Sequence, residues 1–139
     1  SVTEYIYRNN LLISETCSDI TEDPHVITKT THFYDSDGIK ILSENYHSDH
    51  NGIIISTDYY NYDNNGKLSF VKRFGKDNRL ICTYYYEYDI PGNLIRITVK
   101  DTENYTHCDT WIYNSSGRLL FYKIYTNNIL FRSEEYKYD

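Results

Sequence analysis

Apolar and aromatic residues fall in short stretches along this chain, alternating with polar positions and separated by clusters of Asn, Asp, Gly and Ser. Residues 53–62, Ile-Ile-Ile-Ser-Thr-Asp-Tyr-Tyr-Asn-Tyr, and 105–113, Tyr-Thr-His-Cys-Asp-Thr-Trp-Ile-Tyr, are typical. Such stretches suit strands and are short for helices, and none carries a helical period. The pattern predicts strands near 2–8, 11–17, 26–34, 39–47, 53–62, 67–75, 79–88, 93–100, 105–113, 118–125 and 129–138. Residues 18–25, with Pro24, read as the one long irregular stretch. Short connections make neighbours in sequence neighbours in space. The expected fold is therefore all-β, an antiparallel meander of about 10–11 strands in a single domain over 1–139. A meander of that length twists, so coiling or closure into a barrel- or sandwich-like form is expected.

The punctuation is periodic. Tyr34-Asp35-Ser36-Asp37-Gly38, Tyr62-Asp63-Asn64-Asn65-Gly66, Tyr88-Asp89-Ile90-Pro91-Gly92 and Tyr113-Asn114-Ser115-Ser116-Gly117 repeat one phrase, and Tyr138-Asp139 begins it again. The phrase tyrosines stand 25 to 28 residues apart. A second set of turn signals alternates with them: Asn9-Asn10, Asp49-His50-Asn51-Gly52, Lys76-Asp77-Asn78, Asp101-Thr102-Glu103-Asn104 and Thr126-Asn127-Asn128. Asn, Asp and Gly tolerate the positive φ of tight hairpins. A period in this range marks a repeat architecture.

The repeat predicts a register. If Tyr62 faces Leu68, Tyr88 faces Leu94 and Tyr113 faces Leu119, then Asp58 faces Lys72, Tyr86 faces Arg96, Asp109 faces Lys123 and Trp111 faces Phe121. Opposite charges and aromatics recur at equivalent places, as stabilising cross-strand pairs do. Alternation then sorts the chain into two faces. Ile53, Ile55, Val71, Ile81, Ile95, Ile97, Val99, Ile112, Leu120, Ile124, Ile129 and Phe131 form an aliphatic face, expected to be the core. Asp58, Tyr60, Tyr84, Tyr86, Asp109, Trp111, Glu134 and Tyr136 fall on the other. Tyr and Trp give contact area at low entropic cost and anchor interfaces, so these eight are the expected partner-binding residues.

The phrase with its following Leu, as in Tyr62 to Leu68, resembles the YD repeat of Rhs and teneurin-type proteins. Tyr88 to Leu94 matches; the fourth copy has Asn114 in place of Asp, and the first has Lys40 in place of Leu. The resemblance covers about residues 26–139 and implies architecture. Large YD-repeat proteins form shells around toxins, and this chain is too short for that role. Its size and charge resemble those of immunity proteins that accompany bacterial polymorphic toxins and contact-dependent growth inhibition systems.

Charge and chemistry sharpen the functional expectation. The net charge is −6, with an isoelectric point near 5.3, which disfavours direct nucleic-acid binding. It suits a basic protein partner instead. Three cysteines, Cys17, Cys82 and Cys108, show no paired spacing, and no apolar run is long enough for a membrane span. A cytoplasmic location is expected. His47-Ser48-Asp49-His50 reads as a polar turn, since nothing completes four metal ligands. Asp58 and Asp109, with basic neighbours expected, make poor general acids. No enzyme activity and no cofactor are expected. The reading is an immunity protein that covers the active-site cleft of a cognate toxin, a nuclease. The alternative is a structural or carbohydrate-binding module related to longer YD-repeat surface proteins.

Overall fold

The structure is a computed structural model, and it describes residues 2–8, 11–20, 27–49 and 52–138. Eleven strands follow one another: β1 (Val2–Arg8), β2 (Leu11–Ile20), β3 (Ile27–Tyr34), β4 (Lys40–Asp49), β5 (Gly52–Tyr62), β6 (Leu68–Gly75), β7 (Leu80–Tyr88), β8 (Leu94–Asp101), β9 (Thr106–Tyr113), β10 (Leu119–Thr126) and β11 (Ile129–Glu135). Their order in the sheet is their order in sequence, so the all-β antiparallel meander is as expected. The order is open, with β1 at one edge and β11 at the other. Of the coiled and closed forms expected, the closed one does not form, because the two terminal strands are not hydrogen-bonded neighbours. β2 runs three residues past its expected end, to Ile20. The remainder of the expected loop, from 21 to 25, lies outside the described residues, as do Asn9-Asn10 and His50-Asn51. The chain forms two compact units, residues 1–61 with 72–80 and residues 62–71 with 81–139.

The turns explain the phrase. Asp63 Oδ1 accepts from the backbone N–H groups of Asn65 and Lys67 at 2.8 and 2.9 Å. Asp35 and Asn114 each make the same pair of bonds two and four residues on. Asp101, outside the phrase series, does so as well. A carboxylate or amide at this position holds donors that no strand can pair. Gly66 adopts φ +76°, where a side chain is strained. Gly66→Ala should cost about 1–2 kcal/mol for a left-handed non-glycine residue. An unchanged urea midpoint would show that the turn relaxes instead.

The register departs from expectation by one residue. Tyr88 does face Leu94 and Tyr113 does face Leu119, but the next pairs are Glu87–Arg96 and Ile112–Phe121. Tyr34 faces Lys40 and Phe33 faces Leu42 in the same way. Ile41, Ile95 and Leu120 are thus bulge residues, one after each of three Gly turns. A bulge places two residues against one, and a one-residue slip moves each later side chain to the opposite face. Asp109 consequently faces Ile124 and not Lys123; Trp111 faces Tyr122 and not Phe121; Tyr86 faces Ile97 and not Arg96. At β5 the partner of Asp58 is Arg73 rather than Lys72, at 2.8 Å.

The two-face sorting changes with it. Ile97, Val99 and Ile124 join the face of Tyr84, Tyr86 and Trp111, so the described residues of β7–β10 do not form a dry aliphatic face. Among the described residues the buried hydrophobic ones are Val71 and Cys82. Ile53, Ile81, Ile112, Ile129 and Phe131, expected in the core, are exposed, Phe131 at 79%. Several of the least exposed side chains are polar: Ser14, Thr16, Ser43, Ser56, Asp58 and Thr83. No buried side-chain nitrogen or oxygen among the described residues lacks a hydrogen-bond partner. Cross-strand pairing and satisfied polar ladders hold such a sheet, in place of an aliphatic interior.

A candidate partner-binding face

In the unit containing residues 81–139, successive cross-strand rows set one face. Tyr86–Ile97–Asp109–Ile124–Arg132 forms one row, and Tyr84–Val99–His107–Thr126 an adjacent one. Trp111–Tyr122–Glu134 is the row on the other side. Six of the eight expected residues, Tyr84, Tyr86, Asp109, Trp111, Glu134 and Tyr136, therefore belong to this unit. Five of them stand in these rows, and Tyr136 joins through Glu134. Asp58 and Tyr60 belong to the other unit.

The rows make an aromatic–acidic cluster. The Trp111 and Tyr122 rings stack, with centroids 5.5 Å apart and planes inclined by 26°. Tyr122 O–H donates to Asp109 Oδ1 at 2.8 Å. His107 Nε2 lies 3.4 Å from the other Asp109 oxygen, an ion pair whenever the imidazole is protonated. Tyr136 O–H donates to Glu134 Oε2 at 2.8 Å, and Arg132 pairs with the same carboxylate. The geometry is that of a partly covered apolar patch of Tyr, Trp, Ile and Val with two carboxylates fixed in it. Tyr122, His107, Arg132, Ile97, Val99 and Ile124 were not expected here. Restarting the alternation at Leu120 and Ile95 would have placed Tyr122, Ile124, Ile97 and Val99.

The hydrogen bonds have titration consequences. The bond to Asp109, then burial and the nearby Asp109 and Glu134 charges, push the Tyr122 phenol up to about 12. The Tyr136 bond, helped by Arg132, holds Glu134 below the usual carboxylate range, and the same bond raises Tyr136. A tyrosine raised in the folded state keeps its stabilising share up to its unfolded value, about 10, and loses it as pH climbs through the folded one. The urea midpoint should therefore fall more steeply between about pH 10 and 12 in the native protein than in Tyr122→Phe. Parallel slopes would mean that the Tyr122–Asp109 bond is absent in solution.

The other unit carries a polar ladder. Thr30 Oγ1 donates to Asn45 Oδ1, Asn45 Nδ2 donates to Asp58 Oδ2 at 3.2 Å, and Arg73 Nε and Nη2 close on Asp58 at 2.8 and 2.9 Å. Beside it, His32 Nδ1 and Ser43 Oγ are 2.7 Å apart, and Ser43 Oγ also donates to the Tyr60 hydroxyl at 3.2 Å. Glu15 faces His32 from the next strand. Serine, histidine and carboxylate in line invite a nucleophilic reading. Ser43 is 1% exposed, however, so no substrate carbon can reach its oxygen in this arrangement. Burial and the Lys40 charge lower the His32 pKa, against a smaller opposing effect of Glu15. Asp58, 5% exposed and held by Arg73 and Asn45, is a ladder member in this unit and presents little surface to a partner. The Tyr60 ring lies under Lys40 Nζ, 4.4 Å from its centroid.

His47 Nδ1 contacts Thr28 Oγ1 at 3.0 Å; His50 lies outside the described residues. Cys82 is buried, and Cys108 is partly covered. No helix among the described residues is long and apolar enough to cross a membrane. Compared with models of known protein families and with curated proteins, the chain matches none.

Proposed function

We propose that this protein is a binding protein of the immunity type, which neutralises a basic toxin by covering its active-site cleft with the aromatic–acidic face of β7–β11. The observation that carries the reading is the cluster of Trp111, Tyr122, Asp109 and Glu134 on one face, amid Tyr84, Tyr86 and Ile97. Flat aromatic rings with fixed carboxylates suit a partner that presents Arg and Lys side chains. A nuclease cleft presents such cations because it must hold phosphates. The net charge of −6 favours rapid association with it. The YD-like turn phrase supplies a repeating frame for the face and leaves inhibition to contact alone.

The test is co-expression with the toxin encoded beside this gene, followed by analytical size-exclusion of the two purified proteins at low salt. Survival of the cells and a stable complex are expected. Cell death together with separate elution would end the immunity reading.

A further inference from the structure

The opposite face of the same unit differs in chemistry. Along the β8–β9 ribbon, the pairs Arg96–Thr110, Thr98–Cys108 and Lys100–Thr106 share that face. These six residues line a trough of about 570 Å³, bounded further by Glu87, Tyr125 and Asn128. Small-molecule sites commonly occupy about 300–1,000 Å³, so the space is of ligand size. We infer that this trough binds a phosphate monoester of mononucleotide size, with Arg96 and Lys100 holding the phosphate over Thr98 and Thr110.

Three observations carry this. First, the floor is made of small hydroxyl side chains between longer ones, which gives the sheet local depth. Second, the hydroxyls hold weak partners: Thr98 Oγ1 donates to Cys108 Sγ at 3.7 Å, and Thr110 Oγ1 lies 3.6 Å from the same sulfur. Sulfur is a poor acceptor, so both hydroxyls can turn to an oxyanion at small cost. Third, the cations flank the floor. Arg96 and Lys100 lie either side of Thr98 on one strand, about 13 Å apart at Cα, within which two long side chains can converge. Lys100 Nζ rests 5.5 Å from the Tyr85 ring centroid, and Arg96 reaches Glu87 only at 3.4 Å with both side chains about half exposed. An ion pair that open is worth little, so the guanidinium can reorient. A phosphate, with three oxygens, can use the guanidinium fork, the ammonium and both hydroxyls together. Tyr125 at the far wall offers a flat surface for a ring attached to the phosphate. In a chain of net charge −6 the two cations stand against one carboxylate, Glu87, in the trough.

This inference is independent of the toxin-binding reading, which uses the other face. It is tested by amide chemical shifts of the whole protein titrated with adenosine monophosphate, inorganic phosphate and adenosine. Saturable shifts at Thr98, Lys100 and Thr110 are expected with adenosine monophosphate, at least tenfold tighter than with adenosine. Inorganic phosphate should displace it. Arg96→Gln/Lys100→Gln should weaken binding at least tenfold while circular dichroism stays unchanged. Thr98→Val, which keeps the side-chain shape, provides a second test through the hydroxyl alone and should weaken it measurably. Absence of shifts at about 10 mM ligand, weaker than ordinary small-ligand affinity, would overturn the assignment. So would equal binding of adenosine, or unchanged binding by the double variant.

Discussion

Arg73→Met should destabilise the protein by about 3 kcal/mol, the low end for breaking a buried ion pair. The low end applies because the Arg73 side chain is 36% exposed, whereas that of Asp58 is only 7% exposed. Removing the guanidinium takes two short hydrogen bonds from a carboxylate that still accepts from Asn45. The cost is the uncompensated charge more than the lost attraction. Asp58→Asn/Arg73→Met should therefore be more stable than Arg73→Met alone, since the amide is neutral and can still accept from Asn45. Urea titrations of the four proteins of this cycle measure the coupling. A double variant no more stable than Arg73→Met would assign the loss to packing of the arginine stem. Lys72→Met, by contrast, changes an exposed side chain next to the ladder and should stay within about 0.5 kcal/mol of the native protein.

Trp111→Ala should weaken the toxin complex by about 2 kcal/mol, roughly thirtyfold, if the Trp111–Tyr122 stack is the anchor of the interface. The loss should appear in dissociation, because a packed ring slows escape and contributes little to encounter. Added salt should act on the other rate. It screens the field of Asp109, Glu134 and the rest of the −6 charge and so slows association. Stopped-flow mixing at two ionic strengths separates the two effects. Trp111→Ala binding as tightly as the native protein would remove the aromatic face from the contact and return attention to the sheet edges.

The strands and turns were legible because their chemistry is local. Asp63 accepts from the N–H groups two and four residues on, and Gly66 takes positive φ, so the turn is written in five consecutive residues. The sequential strand order likewise followed from short connections, while its openness did not. The register was not legible, because a bulge residue carries no compositional mark. Ile41, Ile95 and Leu120 look like ordinary strand residues, yet each moves the remainder of its strand to the other face. On the incoming strands β7 and β9 the alternation is unbroken, so Tyr84, Tyr86, Asp109 and Trp111 share one face as expected. The residues between them changed, and Tyr122 with Ile97 replaced Lys123 with Arg96. The aliphatic core failed for the same reason. Ile97 beside Tyr86 and Ile112 beside Phe121 divide the aliphatics between faces. The polar ladder through Asn45, Asp58 and Arg73 depended on partners from three successive strands, which no local pattern reveals.

The open, sequential strand order also sets how the molecule assembles. Each strand pairs with its neighbour in sequence, so no pairing waits for distant segments to meet. Closing a short loop costs little entropy, and the cost rises slowly with length. Low contact order of this kind places a β protein among the faster folders of its class. It also makes cooperativity nearly one-dimensional, with each hairpin supported by the ones beside it. Edge hairpins have one such support and interior ones have two. Amide exchange should accordingly report fraying that begins at β1 and β11 and weakens inward, a graded melting in place of a single all-or-none event.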